Sequence, residues 1–305
     1  MLNSIAAHKK TAITLIIGLI AGPIVGVLLN DYIAVTPARL TRLLENGDVE
    51  GFNDLRAQFK QQISFERIDL SNKNLSGVNL DSVILLHSNL FNTNLEDSSL
   101  ENAQISGNLT SINLKNAHLQ NAHLTGASLR GADLTDAFLS DADLTDASLD
   151  NANLTNADFS DVTLTNAYLI GADLTGADLD EDTLTTARII NTTLANASLV
   201  DADLADSYLR NNDLTNANLY DAELSDASLV NTTLANASLV DADLSGAYII
   251  RDNLTNVDMN LTNLSETKFD CKSLRTVTTS FAVNADQLHI VEINNGSIKE
   301  ISSCQ

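Results

Sequence analysis

Tryptophan is absent from the 305 residues, proline and cysteine occur twice each, and aromatic residues make up 4% of the chain. A layered α/β core, which bulky groups must fill, is therefore excluded. Cations are scarce too: 17 Lys and Arg stand against 40 Asp and Glu, giving a formal charge of −23. Phosphate backbones are captured by Lys and Arg as counterions are released, so direct nucleic-acid binding is not expected. The five histidines form no H-E-x-x-H, and G-x-S-x-G and phosphate-cradling glycine loops are missing. An enzyme, a cofactor and a metal centre are accordingly not expected, and His118 and His123 read as surface residues on adjoining faces. The many Asp side chains are not general acids by number alone, because acid/base pairs need differing environments. What is present is apolar enough to fold, with 44% hydrophobic residues and a mean hydropathy of +0.01, which argues against disorder.

Residues 12–29 form an 18-residue apolar run interrupted only by Thr14 and Pro23, the minimum length for a helix crossing a bilayer. A secretory signal is the rival reading, but no A-x-A cleavage pattern follows Leu29. The expectation is an uncleaved single-pass anchor in a bacterial inner membrane. Lys9 and Lys10 before it and Arg39 and Arg42 after it nearly balance, leaning towards an internal N-terminus and a periplasmic remainder. Gly18, Gly22 and Gly26 share one face of this helix, a pattern of dimerising anchors and also a common one in such helices. Further on, Leu40, Leu43 and Leu44, then Phe52, Leu55 and Phe59, recur at helical spacing around a break at Gly47. Two short amphipathic helices are expected, covering the end of whatever follows.

From Phe65 a large apolar residue recurs every five positions to Ile105, slips by one at Ser106-Gly107 to Leu109, and then continues to Leu274. Neither a helix of period 3.6 nor a strand of period 2 has this spacing. A small residue stands two places before the large one, as in Ala132/Leu134 and Ala202/Leu204. Two inward residues per five describe one face of a narrow tube, and the scarcity of aromatics fits a tube too narrow for them. The slip is expected to be a bend or bulge. Lys73, Asp182, Asn212, Asp252 and Lys272 occupy small inward positions, where an unpaired charge is costly. The backbone is expected to loosen there and let them reach water.

The segments GADLT at 131–135, DADLT at 141–145 and NANLT at 151–155 resemble the A(D/N)LXX units of the pentapeptide-repeat family. The resemblance covers residues 65–274 and implies an all-β solenoid, a right-handed quadrilateral β-helix with four pentapeptides to a coil. The sequence agrees independently with a coil of 20, because NTTLANASLVDADL at 191–204 recurs unchanged at 231–244, an offset of 40. At about 4.8 Å per coil the repeats make a rod on the order of 50 Å long. With its N-terminal transmembrane helix and short helical cap, the chain divides into an anchor (1–30), a helical cap (31–62), repeat blocks (63–106 and 107–274) and a C-terminal cap (275–305).

At an interval of 20, Asp141, Asp161, Glu181, Asp201, Asp221 and Asp241 form one column, with Asp203, Glu223 and Asp243 beside it. Residues 110–270 hold 26 Asp and Glu against 6 Lys and Arg. Like charges about 4.8 Å apart repel by somewhat under ~1 kcal/mol per pair even in water. The column is either a copied, solubilising Asp or a surface for a basic protein partner or loosely held divalent cations. Another face carries Tyr168, Arg188, Tyr208, Ser228 and Tyr248, followed by Ile170, Ile190, Arg210, Val230 and Ile250. It reads as a protein contact, with a homodimer seam as one form, or as ladders that stabilise neighbouring coils.

Cys271 and Cys304 would join the tail to the last coil in an exported chain and remain thiols in the cytoplasm. Residues 288–293 and 297–301 read as two strands around a turn at 294–296, capping the rod. The expected function is a membrane-anchored, non-enzymatic scaffold for protein–protein interaction through an acidic and an apolar face. The alternative comes from the family resemblance, whose best understood members mimic a DNA duplex and bind DNA gyrase.

Overall fold

Five residues make one side of the coil because five backbone N–H groups find acceptors there. In the stretch 201–205, Asp201 N donates to Tyr220 O (3.0 Å), Ala202 N to Leu199 O (3.3 Å), Asp203 N to Asp182 O (2.8 Å) and Leu204 N to Glu223 O (2.7 Å). The fifth, Ala205 N, donates to the side chain of Asp203 at 3.0 Å. Coils above and below and one tight turn thus satisfy the whole main chain. Two sequence preferences follow. The first residue of the five is a left-handed corner, φ +57° at Asp201, which Asn, Asp and Gly adopt most readily. The third, Asp or Asn, caps the turn with its side-chain oxygen, as Asp133, Asn153, Asp173 and Asp213 also do.

The structure, a computed structural model, describes residues 36–59, 62–277, 289–294, 297–301 and 304. The expected anchor at 12–29, with Gly18, Gly22 and Gly26, lies outside the described residues. Among the described residues no helix is long and apolar enough to cross a membrane. Helices α1 (Pro37–Asn46) and α2 (Val49–Arg56) lie before the repeats, capped by Thr36 and Asp48 and separated at Gly47, φ +71°. They bury Leu40, Leu44, Phe52 and Leu55, and the Phe52 ring meets Phe65 of the first coil, centroids 6.2 Å apart. Asn53 locks the contact, donating to Gly77 O and accepting from Asn79 N, both at 2.8 Å.

The rod is a β-solenoid whose parallel bridges join residues 20 apart, from Ser64↔Ile84 to Asp243↔Asn263. Around the slip the interval falls to 19, as in Asn94↔Asn113. There β1 (Ile84–Asn89) pairs with the one-residue-shorter β2 (Gln104–Asn108), and the register shifts between Leu85 and Ser88. The slip is therefore a bulge. Gly107, φ +116°, is required in it, because a Cβ would overlap the backbone N and O of Ser88. Further along, β3 (Arg188–Ile190), β4 (Tyr208–Arg210), β5 (Ser228–Val230), β6 (Tyr248–Ile250) and β7 (Lys268–Asp270) stack in parallel.

Beyond β7 the repeat pattern outlasts the repeat structure. Asp270 accepts from Ser273 N (2.9 Å) and Oγ (2.6 Å) and starts a helical turn, α3 (Cys271–Leu274), so Leu274 keeps the five-residue phase but not the five-residue fold. Strand β8 (His289–Asn294) then pairs parallel with β7 and antiparallel with β9 (Ser297–Ile301), the two strands expected of the tail. Cys271 and Cys304 are joined as a disulfide, which ties the chain beyond β9 to α3.

The tube is lined by Leu, Ile and Ala exposed by no more than 2% over most of its length. It is not too narrow for aromatics: Phe159 and Phe269 are fully buried at large positions. The inward polar residues also depart from expectation. Asp182 (0% exposed), Asn212 (3%) and Asp252 (1%) do not reach water. Instead they accept from the backbone N–H of the residue 20 earlier, Val162, Thr192 and Thr232 respectively. A main chain held on both sides by neighbouring coils cannot loosen locally, so the side chain turns to that backbone. Lys73 is half-buried, and Lys272 is exposed on α3.

Candidate protein-interaction faces

The acidic column lies on a corner of the rod. Asp141, Asp161, Glu181, Asp201, Asp221 and Asp241 all have positive φ, between +57° and +62°. All but the half-buried Asp241 are exposed. The corner explains the residue type only in part, since Asn fills the same conformation at Asn196, Asn216, Asn236 and Asn256. There each amide donates to the one a coil earlier, at 3.0, 3.2 and 3.1 Å. Ionised carboxylates have no donor with which to build such a ladder.

The second acidic stripe is more structural than its sequence suggests. Asp203, Glu223 and Asp243 are bridged in succession, but Asp203 caps Ala205 N at 3.0 Å and Asp243 caps Ser245 N at 2.7 Å. Asp243 also accepts from Asn263 Nδ2 at 2.9 Å. Glu223 alone of the three is exposed. Among the described residues no group of three or more His, Cys, Asp or Glu is placed to hold a metal ion.

Two residues that the column reading missed belong to this corner. Tyr220 is exposed, and its phenol is pushed above the ordinary tyrosine value by the charge of Asp241 first, by their hydrogen bond, and by Asp221 and Asp201. Asp180 accepts from Ser198 Oγ (2.5 Å) and Val200 N (2.8 Å). Both stand just after a large residue, and reading adjacent columns together would have found them.

The Tyr/Ile strip runs over β3 to β6 on the next side of the coil. Tyr208 is the most open, at 58% exposed; Ile170, Ile190 and Val230 are half-buried, as is Tyr248. Ile250 does not belong to the exposed strip: it is 5% exposed, on the strand against which α3 packs. The strip is also a ladder. Arg188 lies over the Tyr168 ring at 5.3 Å, and Lys268 Nζ over the Tyr248 ring at 4.3 Å. His118 and His123 are exposed, as expected, with His118 stacked on Phe138 at 4.9 Å.

A four-sided solenoid with capped turns and left-handed corners defines a class of repeat proteins. The chain matches the pentapeptide repeats in 8 copies, over residues 61–97, 108–180 and 187–265, and belongs to that family. No curated protein sequence matches it. Among solved structures it is similar to HetL, a pentapeptide-repeat protein involved in heterocyst differentiation regulation in Nostoc sp. strain PCC 7120, at 27% identity and TM-score 0.56. The match covers 70% of this chain and 90% of HetL. QnrB1, a plasmid-mediated fluoroquinolone resistance protein, matches at 18% identity and TM-score 0.46 over 70% of this chain and 95% of its own. Rfr23 from Cyanothece 51142 matches at 31% identity and TM-score 0.19, over 36% of this chain and 61% of Rfr23.

Proposed function

We propose that the chain is a non-enzymatic binding scaffold whose acidic corner receives a basic protein partner and whose Tyr/Ile strip makes a second protein contact. The observation that carries this reading is the acidic corner itself. Carboxylates stand on six successive coils where Asn would serve the backbone equally and stack without repulsion. A repeated electrostatic cost is relieved when a basic surface docks against it. The disulfide supports export, since such bonds persist in oxidising compartments. With it goes the anchor reading of residues 12–29, holding the rod on the periplasmic side of a bacterial inner membrane. DNA mimicry is the second reading, favoured by the excess of 26 acidic over 6 basic residues in 110–270. The disulfide weighs against a cytoplasmic target such as gyrase.

The test uses the full chain in detergent extract and the variant D161N/D201N/D221N/D241N, which keeps the corner conformation and removes four charges. A partner that binds wild type at low salt and is lost from the variant and at high salt supports the acidic corner. Inhibition of gyrase supercoiling by the same preparation shifts the reading to DNA mimicry. I190K/V230K tests the strip: an unchanged mass by light scattering removes the homodimer.

A further inference from the structure

Asp182 sits in the middle of the tube, wholly buried, at a position built for a hydrogen-bond donor. Most polar side chains at equivalent small positions donate to the carbonyl 23 residues earlier, Ser98 and Ser207 excepted. Thr93 reaches Leu70 O at 2.8 Å, Thr262 reaches Leu239 O at 2.7 Å, and Asn212 Nδ2 reaches Ile189 O at 2.7 Å. Asn212 spends its other atom, Oδ1, on Thr192 N at 2.9 Å. Asp182 copies half of this arrangement: Oδ1 accepts from Val162 N at 2.7 Å, and Oδ2 is buried without a partner. A carboxylate left so is desolvated and half-satisfied. A carboxylic acid has the donor and acceptor that Asn212 has.

We propose that Asp182 is a proton-binding site inside the rod, its neutral acid standing in for an asparagine and offering its O–H to the carbonyl of Phe159, 23 residues earlier. The charged groups facing it all disfavour ionisation: Asp178, Asp161 and Asp180 surround it. Burial first, and these carboxylates after it, push Asp182 up to about 9, against the Val162 N–H that favours the charged form. Asp252 marks the contrast. It is buried and raised to about 8, burial first and the Asp270 charge after, but both of its oxygens have backbone donors, Thr232 N and Ile250 N. Its carboxylate is satisfied without a proton, and it has no orphaned oxygen.

The folded rod therefore keeps a proton on Asp182 that the unfolded chain releases near the ordinary value of 3.8. Folding binds a proton between 3.8 and about 9, so stability falls as pH rises through that window and levels off above it. Approach of a basic partner to Asp178 and Asp180 would favour loss of this proton.

The test compares unfolding of the full-length protein with D182N, which supplies donor and acceptor permanently. D182N is expected to gain on wild type by about tenfold in the unfolding equilibrium per pH unit between roughly pH 5 and 8. The infrared difference spectrum at pH 7 is expected to show a protonated-carboxyl band in wild type that D182N lacks. A wild-type-to-D182N difference that is flat from pH 5 to 9, or no such band, overturns the proposal. D252N serves as the comparison. It leaves one of the two backbone N–H groups facing an amide donor and is expected to lose stability at pH 9, above the value of about 8 to which Asp252 is raised, whereas a gain there like that of D182N would remove the distinction drawn between the two sites.

Discussion

Two corners of this rod share one backbone and differ in what they do with it. Along 141–241 every corner residue is acidic; along 196–256 every one is asparagine, and both runs hold φ between +56° and +62°. The asparagines join into a hydrogen-bonded ladder, whereas the acids stack charge on charge. Left-handed geometry thus narrows the choice to a few residue types without choosing among them. The acidic corner is the one whose composition the fold leaves unexplained, and for that reason it is the better candidate for recognition.

Each way of exchanging the two chemistries has its own expected effect. The largest comes from moving the acids to the other side. N216D/N236D removes amide donors from the ladder and creates adjacent like charges, and is expected to destabilise by about 2 kcal/mol in thermal unfolding at low salt. A loss below about 0.5 kcal/mol would show that the ladder contributes little. The reverse exchange, D201N/D221N, is expected to stabilise by under about 1 kcal/mol per neighbouring pair relieved, with the gain shrinking as salt is added. A salt-independent gain would move the cause from charge to hydrogen bonding. The smallest effect is spectroscopic. The Tyr220 phenol, obtained as the absorbance difference between wild type and Y220F, is expected to ionise above 10.0, and D241N to bring it down. No change on D241N would place the phenol outside the field of the column.

The five-residue period was legible because a single backbone hydrogen-bond cycle spans five residues, so every side of every coil repeats the same demand. The helices at 37–56 were readable from their apolar spacing and the break at Gly47, as was the tail hairpin from its alternation. The fate of inward polar residues was not legible. Asp182 and Lys73 look alike in the repeat, yet one is sealed between coils and the other half-buried near the start of the tube. Leu274 misled for the opposite reason, because it keeps phase after Asp270 has opened a helix. The acidic column was visible at an interval of 20, but its division into corner carboxylates and turn-capping ones, Asp203 and Asp243, needed the hydrogen bonds. Ile250 was placed on the right face, but it is buried on β6, the strand against which α3 packs.

The 20-residue register has a consequence for how such a rod changes over generations. The segment 191–204 returns at 231–244 after 40 residues, a whole number of coils. Inserting or deleting that amount by recombination lengthens or shortens the molecule and leaves every downstream side chain facing as before. An insertion of one pentapeptide would keep the tube intact and its core filled, yet rotate all that follows by a quarter turn, breaking the acidic corner into two misaligned halves. Fold and surface thus tolerate different units of genetic change, and the partner, by reading the surface, imposes the longer one.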